Sequence, residues 1–199
     1  MTQTVFCSGF AGPEALFPGL SGRTRFVAPF LDGDEALVVG RLMEGGDVLA
    51  GWSTGAHIIL KHAAALFPRY GRVALLAPFL RFADCYPARA VRAMAAGMKA
   101  DPAETIAAFW QNCAVDAPPV YDPAWTGALT AGLDYLLASE AAVPALAADH
   151  VTVVSGAADR IVRASAVAKV LAALPGAAHS VHPSGHWPCP KLLEGLLWS

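Results

Sequence analysis

Charged residues are scarce in this sequence, and the two signs nearly balance. Only 15% of its 199 residues are charged, and 14 Lys and Arg stand against 16 Asp and Glu, for a formal net charge of −2. A nucleic-acid-binding protein needs a surplus of basic residues to neutralise phosphates, so this balance argues against a nucleic-acid partner. Disordered chains combine low hydrophobicity with high net charge, and a content of 55% hydrophobic residues excludes that class as well.

Long apolar runs and paired cysteines are missing too. Stretches such as residues 73–80 are far shorter than the roughly 20 residues of a membrane-spanning helix. The first residues carry no basic cluster ahead of an apolar run, which predicts no secretory signal. The four cysteines form no C-x-x-C pair and no His stands at zinc-ligand spacing, so we predict reduced thiols and no metal or other cofactor. We therefore expect a soluble, cytoplasmic monomer with no membrane partner.

What the sequence does contain is a regular alternation of short apolar segments with longer helical patterns. Such an alternation predicts an α/β protein, in which a mostly parallel sheet is covered by helices on both faces. Segments 72–77 and 150–155 are almost continuously apolar, as expected for strands buried on both faces. The predicted strands are residues 4–7, 25–28, 48–50, 73–76, 151–154 and 180–182. The predicted helices of this alternation are residues 34–43, 54–66, 161–174 and 190–197.

Residues 82–148 break the alternation, because they hold helical patterns and proline-rich turns but no convincing strand. We predict that they form a helical cap, inserted into a core made of residues 1–81 and 149–199. Apolar side chains recur at helical spacing along residues 91–98, whereas Arg89, Arg92 and Lys99 lie on another side of the same helix. This basic stripe is either a solvated helix face or, together with Arg81, a surface for an acidic partner.

The pentapeptide Gly51-Trp-Ser-Thr-Gly55 fits the pattern G-x-S-x-G and lies between a predicted strand and a predicted helix. A nucleophile elbow needs this context, because a tight strand-to-helix turn lifts the serine hydroxyl clear of the sheet. Glycines two residues on either side of Ser53 let neighbouring backbone approach the turn. An ordinary strand-to-helix turn also favours Gly and Ser, but the strand and helix around Ser53 favour the elbow.

A serine hydroxyl becomes a good nucleophile only when a base removes its proton, and the base in turn needs an orienting carboxylate. Six histidines compete for the role of base. His57 and His62 lie on the helix after Ser53 and are interpreted as surface or packing residues. His186 lies in a loop of small residues after the last predicted strand. Because the carboxyl ends of parallel strands form the active-site crevice, His186 is the best-placed base.

The acid and the oxyanion hole are expected in two further loops. Asp159 follows the penultimate predicted strand, so it is the preferred carboxylate, although it could equally cap the helix after it. Three other carboxylates precede that strand and are ranked lower, namely Asp134, Glu140 and Asp149. The backbone N–H groups of Thr54 and of Phe10, in the loop after the first strand, are the expected oxyanion donors.

Together these motifs resemble those of the α/β-hydrolase superfamily and, within it, the biotin-pathway carboxylesterases that demethylate pimeloyl-acyl-carrier-protein methyl ester. The sequence departs from that family at Ser8, where the family has His, and at residues 31–35, where it has Asp-x-Pro-Gly-x-Gly. The family's usual strands before the oxyanion loop are missing, so a shortened sheet of about six strands is expected. The matching segments are residues 9–10, 51–55, 156–162 and 185–188, with softer matches at Thr105, Phe109 and Gly132-Leu133.

The resemblance implies a serine carboxylesterase with Ser53 as nucleophile, His186 as base and Asp159 as acid. Trp52, Phe109 and Trp110 would then line an acyl tunnel, although aromatic residues at such spacings often belong to the core. The basic stripe would bind the acyl carrier protein. Two alternatives stay open: a thioesterase or short-acyl esterase that uses the same triad, and a non-catalytic binding protein with the hydrolase fold.

Overall fold

A single parallel sheet of six strands organises the chain in the computed structural model, which describes residues 3–198. The strand order is β2-β1-β3-β4-β5-β6, and each neighbouring pair is parallel. The central strands are apolar on both faces because helices surround the sheet, as the continuous hydrophobic segments predicted. The strands are β1 (Thr4–Cys7), β2 (Arg25–Val27), β3 (Gly46–Trp52), β4 (Tyr70–Leu76), β5 (Val151–Gly156) and β6 (Ala178–His182).

Eight α-helices accompany these strands in the described part of the chain. The predicted helix at 54–66 is divided in two at His62, and the predicted helix at 161–174 begins only at Ala164. The helices are α1 (Glu35–Leu42), α2 (Thr54–Lys61), α3 (Ala63–Leu66), α4 (Ala88–Ala100), α5 (Pro102–Asn112), α6 (Thr126–Ala138), α7 (Ala164–Ala173) and α8 (Pro190–Leu197).

The segment between β4 and β5 contains three of these helices, α4, α5 and α6. Helix α5 begins with Pro102 at its first position, and the Asp101 carboxylate accepts from the N–H of Glu104. The two ends of the segment meet at an isolated antiparallel bridge between Arg81 and Glu140. The helical segment therefore leaves and rejoins the sheet at neighbouring points.

The parallel arrangement brings four loops to one edge of the sheet, because all strands end on the same side. These loops follow β1, β3, β5 and β6, and they contain every residue predicted for the triad and the oxyanion hole. Among residues 3–198, no helix is long and apolar enough to cross a membrane.

Candidate active site

Ser53 stands at a sharp turn between β3 and α2. Its φ of 54° and ψ of −112° are strained for a residue with a side chain, and such strain concentrates at functional sites. The turn is held by the Ser53 N–H, which donates to Leu76 O at 2.8 Å. Glycine is required on both sides: a Cβ on Gly55 would lie 2.2 Å from Cys7 O, and one on Gly51 would lie 2.9 Å from the backbone of Ala56. The geometry is that of a nucleophile elbow.

His186 joins the nucleophile to the carboxylate. Its Nε2 lies 2.9 Å from Ser53 Oγ, and its Nδ1 lies 2.8 Å from Asp159 Oδ2. Because a carboxylate can only accept, Nδ1 carries the proton and donates it, which leaves Nε2 free to accept from the serine hydroxyl. Residues 53, 159 and 186, far apart in the sequence, thus form one hydrogen-bonded line. Ser53 and His186 are only 5% and 3% exposed.

Asp159 uses its two oxygens differently. Oδ2 faces His186, whereas Oδ1 accepts from the N–H groups of Ile161 and Val162 at 2.8 and 2.9 Å. The sequence left open whether this residue orients a base or caps a helix. The side chain does orient His186, and its second oxygen closes a short loop. It does not cap α7, whose first residue is Ala164 and whose N-cap residue is Arg163.

The two expected oxyanion donors lie in the loops around Ser53. Thr54 is the first residue of α2, so its N–H has no partner within the helix. Within residues 3–198, no backbone hydrogen bond uses the N–H of Thr54 or of Phe10. Both groups are therefore available, and the N-terminus of α2 adds a partial positive charge where an oxyanion would form.

The aromatic residues that the sequence placed along an acyl tunnel have different surroundings. Trp52 is 1% exposed, and its indole N–H donates to His186 O at 2.8 Å. Trp110 is also buried, and its indole N–H donates to Ala11 O at 2.7 Å. Phe109 is only partly buried and packs edge-to-face on Phe10, with ring centroids 5.3 Å apart. Of the three predicted wall residues, Phe109 lines a cavity, whereas the other two are buried and hydrogen-bonded to backbone.

That cavity is an apolar groove of about 290 Å³ between α4 and α5. The two helices close at one end, where a Cβ on Gly97 would lie 2.5 Å from Thr105 Oγ1. At the other side the groove reaches the loop after β5 through Ile161, whose N–H binds Asp159. The remaining lining residues are Phe82, Tyr86, Ala90, Ala93, Met94, Thr105, Ala108, Phe109 and Asn112.

The basic stripe lies on the outer side of α4. Arg89, Arg92 and Lys99 are all exposed, and none of them forms a salt bridge with another residue between 3 and 198. Arg81 differs, because it pairs with Asp84 at 3.1 Å. Three basic side chains are therefore presented to solvent on one helix.

His57 and His62 lie away from the triad, as the sequence predicted. His57 is fully buried, and its Nδ1–H donates to Phe79 O while its Nε2 accepts from the Ser139 hydroxyl. Burial lowers the pKa of His57 to about 4, so it is neutral near pH 7. His62 pairs with Glu35 at 2.7 Å. The sequence gave no signal for these contacts, because the partners of His57 lie 22 and 82 residues away.

No protein-family model matches the sequence, and no curated protein sequence matches it significantly. Solved structures do match the fold. An esterase from Exiguobacterium antarcticum has a TM-score of 0.67 at 16% identity, over 92% of this chain and 85% of its own. An enol-lactonase from Burkholderia xenovorans LB400 has a TM-score of 0.64 at 14% identity, over 94% and 85%.

A hydrolase from Pseudomonas aeruginosa PA01 is similar over 98% of this chain and 84% of its own, with a TM-score of 0.63 at 17% identity. At such low identity, a structural likeness establishes the fold and not the reaction. The six-stranded parallel sheet with its surrounding helices therefore has the α/β-hydrolase fold.

Proposed function

We propose that this protein is a serine hydrolase that cleaves acyl esters through an acyl-enzyme intermediate. The observation that carries the proposal is the hydrogen-bonded line from Ser53 through His186 to Asp159, with distances of 2.9 and 2.8 Å. The strained turn at Ser53 and the unengaged N–H groups of Phe10 and Thr54 support the same reaction. A binding protein without catalysis would need neither the strained turn at Ser53 nor the buried hydrogen-bonded line of the three side chains.

The reaction follows from the proton positions. Ser53 Oγ attacks the ester carbonyl while His186 Nε2 takes the hydroxyl proton, and Asp159 stabilises the imidazolium through Nδ1–H. The N–H groups of Phe10 and Thr54 bind the oxyanion, and each such donor typically contributes about 10²–10³ in rate. The imidazolium then protonates the departing alkoxide. Water attacks the acyl-enzyme with His186 again as base, which releases the acid and restores Ser53.

Labelling with a fluorophosphonate probe tests this proposal, because the probe phosphonylates an activated serine. We expect stoichiometric labelling of the wild-type protein and none of Ser53→Ala. Ser165→Ala is a matched control, since Ser165 is an exposed residue of α7, and it should label normally. A folded wild-type protein that resists the probe and hydrolyses no simple ester would favour the non-catalytic alternative.

Within this class, the proposed substrate is the methyl ester of a pimeloyl-acyl carrier protein. The sequence motifs support it through their resemblance to the biotin-pathway carboxylesterases, and the exposed Arg89, Arg92 and Lys99 suit the acidic surface of a carrier protein. The groove between α4 and α5 offers apolar walls to an acyl chain. The same proposal locates the protein in the cytoplasm as a monomer, consistent with its four free cysteines.

Rescue of biotin auxotrophy in a strain that lacks the methyl esterase tests the finer proposal. Growth without biotin is expected with the wild-type gene and not with Ser53→Ala. If the purified protein hydrolyses simple esters but the strain does not grow, the biotin assignment is wrong and the hydrolase assignment stands. A panel of matched esters and thioesters then separates an esterase from a thioesterase.

A further inference from the structure

Trp52 contacts three of the four loops at the active-site edge of the sheet. It precedes Ser53 in the elbow, and its ring lies against the loop after β1, where a Cβ on Gly9 or Gly12 would come within 2.9 Å of the indole. Its indole N–H donates to His186 O at 2.8 Å in the loop after β6. One buried residue thus precedes the nucleophile in the chain, packs against Gly9 and Gly12 on either side of the oxyanion donor, and donates a hydrogen bond to the backbone of the base.

The hydrogen bond from Trp52 fixes the backbone carbonyl of His186, which the triad contacts leave unconstrained. Asp159 and Ser53 hold the two ring nitrogens, but neither holds the backbone from which the ring projects. On one side that backbone is fixed by Trp52, and one residue further on Trp187 N–H donates to Cys113 O at 2.9 Å. Because the imidazole and indole rings are 5.4 Å apart and tilted by 45°, the indole also limits sideways movement of His186.

Resting on the proposed function, we infer that Trp52 is a positioning residue, which holds the base loop and the oxyanion loop in register with the nucleophile. The role differs from the tunnel wall that the sequence suggested, since a side chain that is 1% exposed offers no surface to a substrate. A substrate-binding role would change KM, whereas loss of alignment changes kcat. Small displacements matter at this site, since a shift of about 1 Å can cost roughly 10²-fold in rate.

Trp52→Phe tests the inference, because it keeps an aromatic ring in the core and removes the indole N–H. We expect kcat for a simple ester to fall about tenfold to hundredfold and KM to stay within about twofold. The second-order rate of fluorophosphonate labelling at Ser53 should fall by a similar factor, since it reports nucleophile activation without turnover.

Tyr70→Phe is the matched control. The Tyr70 hydroxyl is a buried aromatic donor to a backbone carbonyl, Leu42 O at 2.6 Å, at the opposite edge of the sheet. It should lower the midpoint of thermal unfolding as Trp52→Phe does, yet leave kcat unchanged. An equal fall in kcat in both variants, or an unchanged kcat in Trp52→Phe, would overturn the inference.

Gly9→Ala gives an independent approach if Trp52→Phe does not fold. Its methyl group would lie 2.9 Å from the indole and push the ring and loop apart without removing the N–H. We expect the same loss in kcat, whereas Gly19→Ala, which has open space at its Cβ, should behave as wild type. Normal kcat in Gly9→Ala would contradict the positioning role. Failure of the wild-type protein to react with the probe would instead reject the proposed function itself.

Discussion

At Asp159, replacing one carboxylate oxygen by an amide nitrogen should be enough to disable the base. Its Oδ1 is occupied by two backbone N–H donors, so an Asn at this position keeps its amide oxygen there and turns its NH₂ toward His186. Nδ1 of His186 must then accept, which moves the ring proton to Nε2 and leaves no base for Ser53. We expect Asp159→Asn to lower kcat by about 10⁴ with little change in KM.

Steady-state kinetics with a simple ester measure this effect. Asp134→Asn and Asp149→Asn are the controls, since both carboxylates are exposed and lie outside the triad. They should retain wild-type kcat. A comparable loss in either control, or activity within about tenfold of wild type in Asp159→Asn, would contradict the assignment of the acid.

For single residues, the sequence predicts a position in the site when the residue comes directly after a predicted strand. The positions of Ser53, Asp159 and His186 could all be predicted, because parallel strands end at one edge. The direction of the Trp52 side chain could not. That direction depends on the positive φ of Ser53 and on close contacts with Gly9 and Gly12. These two glycines lie more than 35 residues earlier in the chain, so no local sequence pattern encodes the contacts.

At the scale of elements, the strands were predicted to within a few residues, whereas two helices were not. The helix predicted from residue 161 starts late because residues 157–163 form the loop that holds Asp159. The helix predicted through residue 66 breaks at His62, whose φ of −112° lies outside the helical range. At residues 157–163, the contact between Asp159 and His186 overrides a sequence pattern that would permit a longer helix.

The helix pair α4 and α5 should set the acyl-chain preference if its groove binds the acyl group. Ala93 lines the groove on α4, so Ala93→Phe should fill the space that several methylene groups would occupy. Each buried methylene contributes about 0.8 kcal/mol, so losing two of them should lower kcat/KM for an octanoate ester about tenfold or more. Hydrolysis of an acetate ester should be unchanged.

Ala96→Phe is the matched control for this prediction. Ala96 is exposed on the same helix but does not line the groove. The ratio of kcat/KM for octanoate and acetate esters should fall in Ala93→Phe and stay constant in Ala96→Phe. A constant ratio in both variants would mean that the acyl chain binds elsewhere, while the triad assignment would be unaffected.

At the scale of the whole molecule, one polar network ties the end of the helical insertion to the core. Ser139 follows α6, and its hydroxyl contacts His57 and Lys61 of α2. Lys61 and His62 both contact the carboxylate of Glu35, the first residue of α1. Partial burial raises the pKa of Glu35, but the hydrogen bonds from Lys61 and His62 outweigh it and leave the pKa below its ordinary value. The sequence could not predict this network, since its hydrogen-bonded partners are up to 82 residues apart.

His57 should make the stability of the protein depend on pH in mildly acidic solution. Burial lowers its pKa from 6.5 to about 4. Between these two pH values, His57 binds a proton in the unfolded chain but not in the folded chain. The contribution of His57 to the free energy of unfolding is therefore fully present above pH 6.5 and is lost as the pH is lowered. From pH 6.5 to 4.5 the loss from this residue should be about 2 kcal/mol. Glu35, whose pKa is lowered, contributes as the pH falls through its ordinary value of 4.5, at the lower limit of this window.

Urea unfolding at pH 7, 5.5 and 4.5 tests the dependence when wild type is compared with His57→Gln. We expect the variant to be less stable at pH 7, because Phe79 O and Ser139 lose well-placed partners. Gln at position 57 does not titrate, so the free energy of unfolding of the variant should decline less steeply than that of wild type, and the two curves should converge toward pH 4.5. Parallel curves would show that His57 takes up a proton in the folded protein, and hence that the contact between the insertion and α2 opens to water well above pH 4.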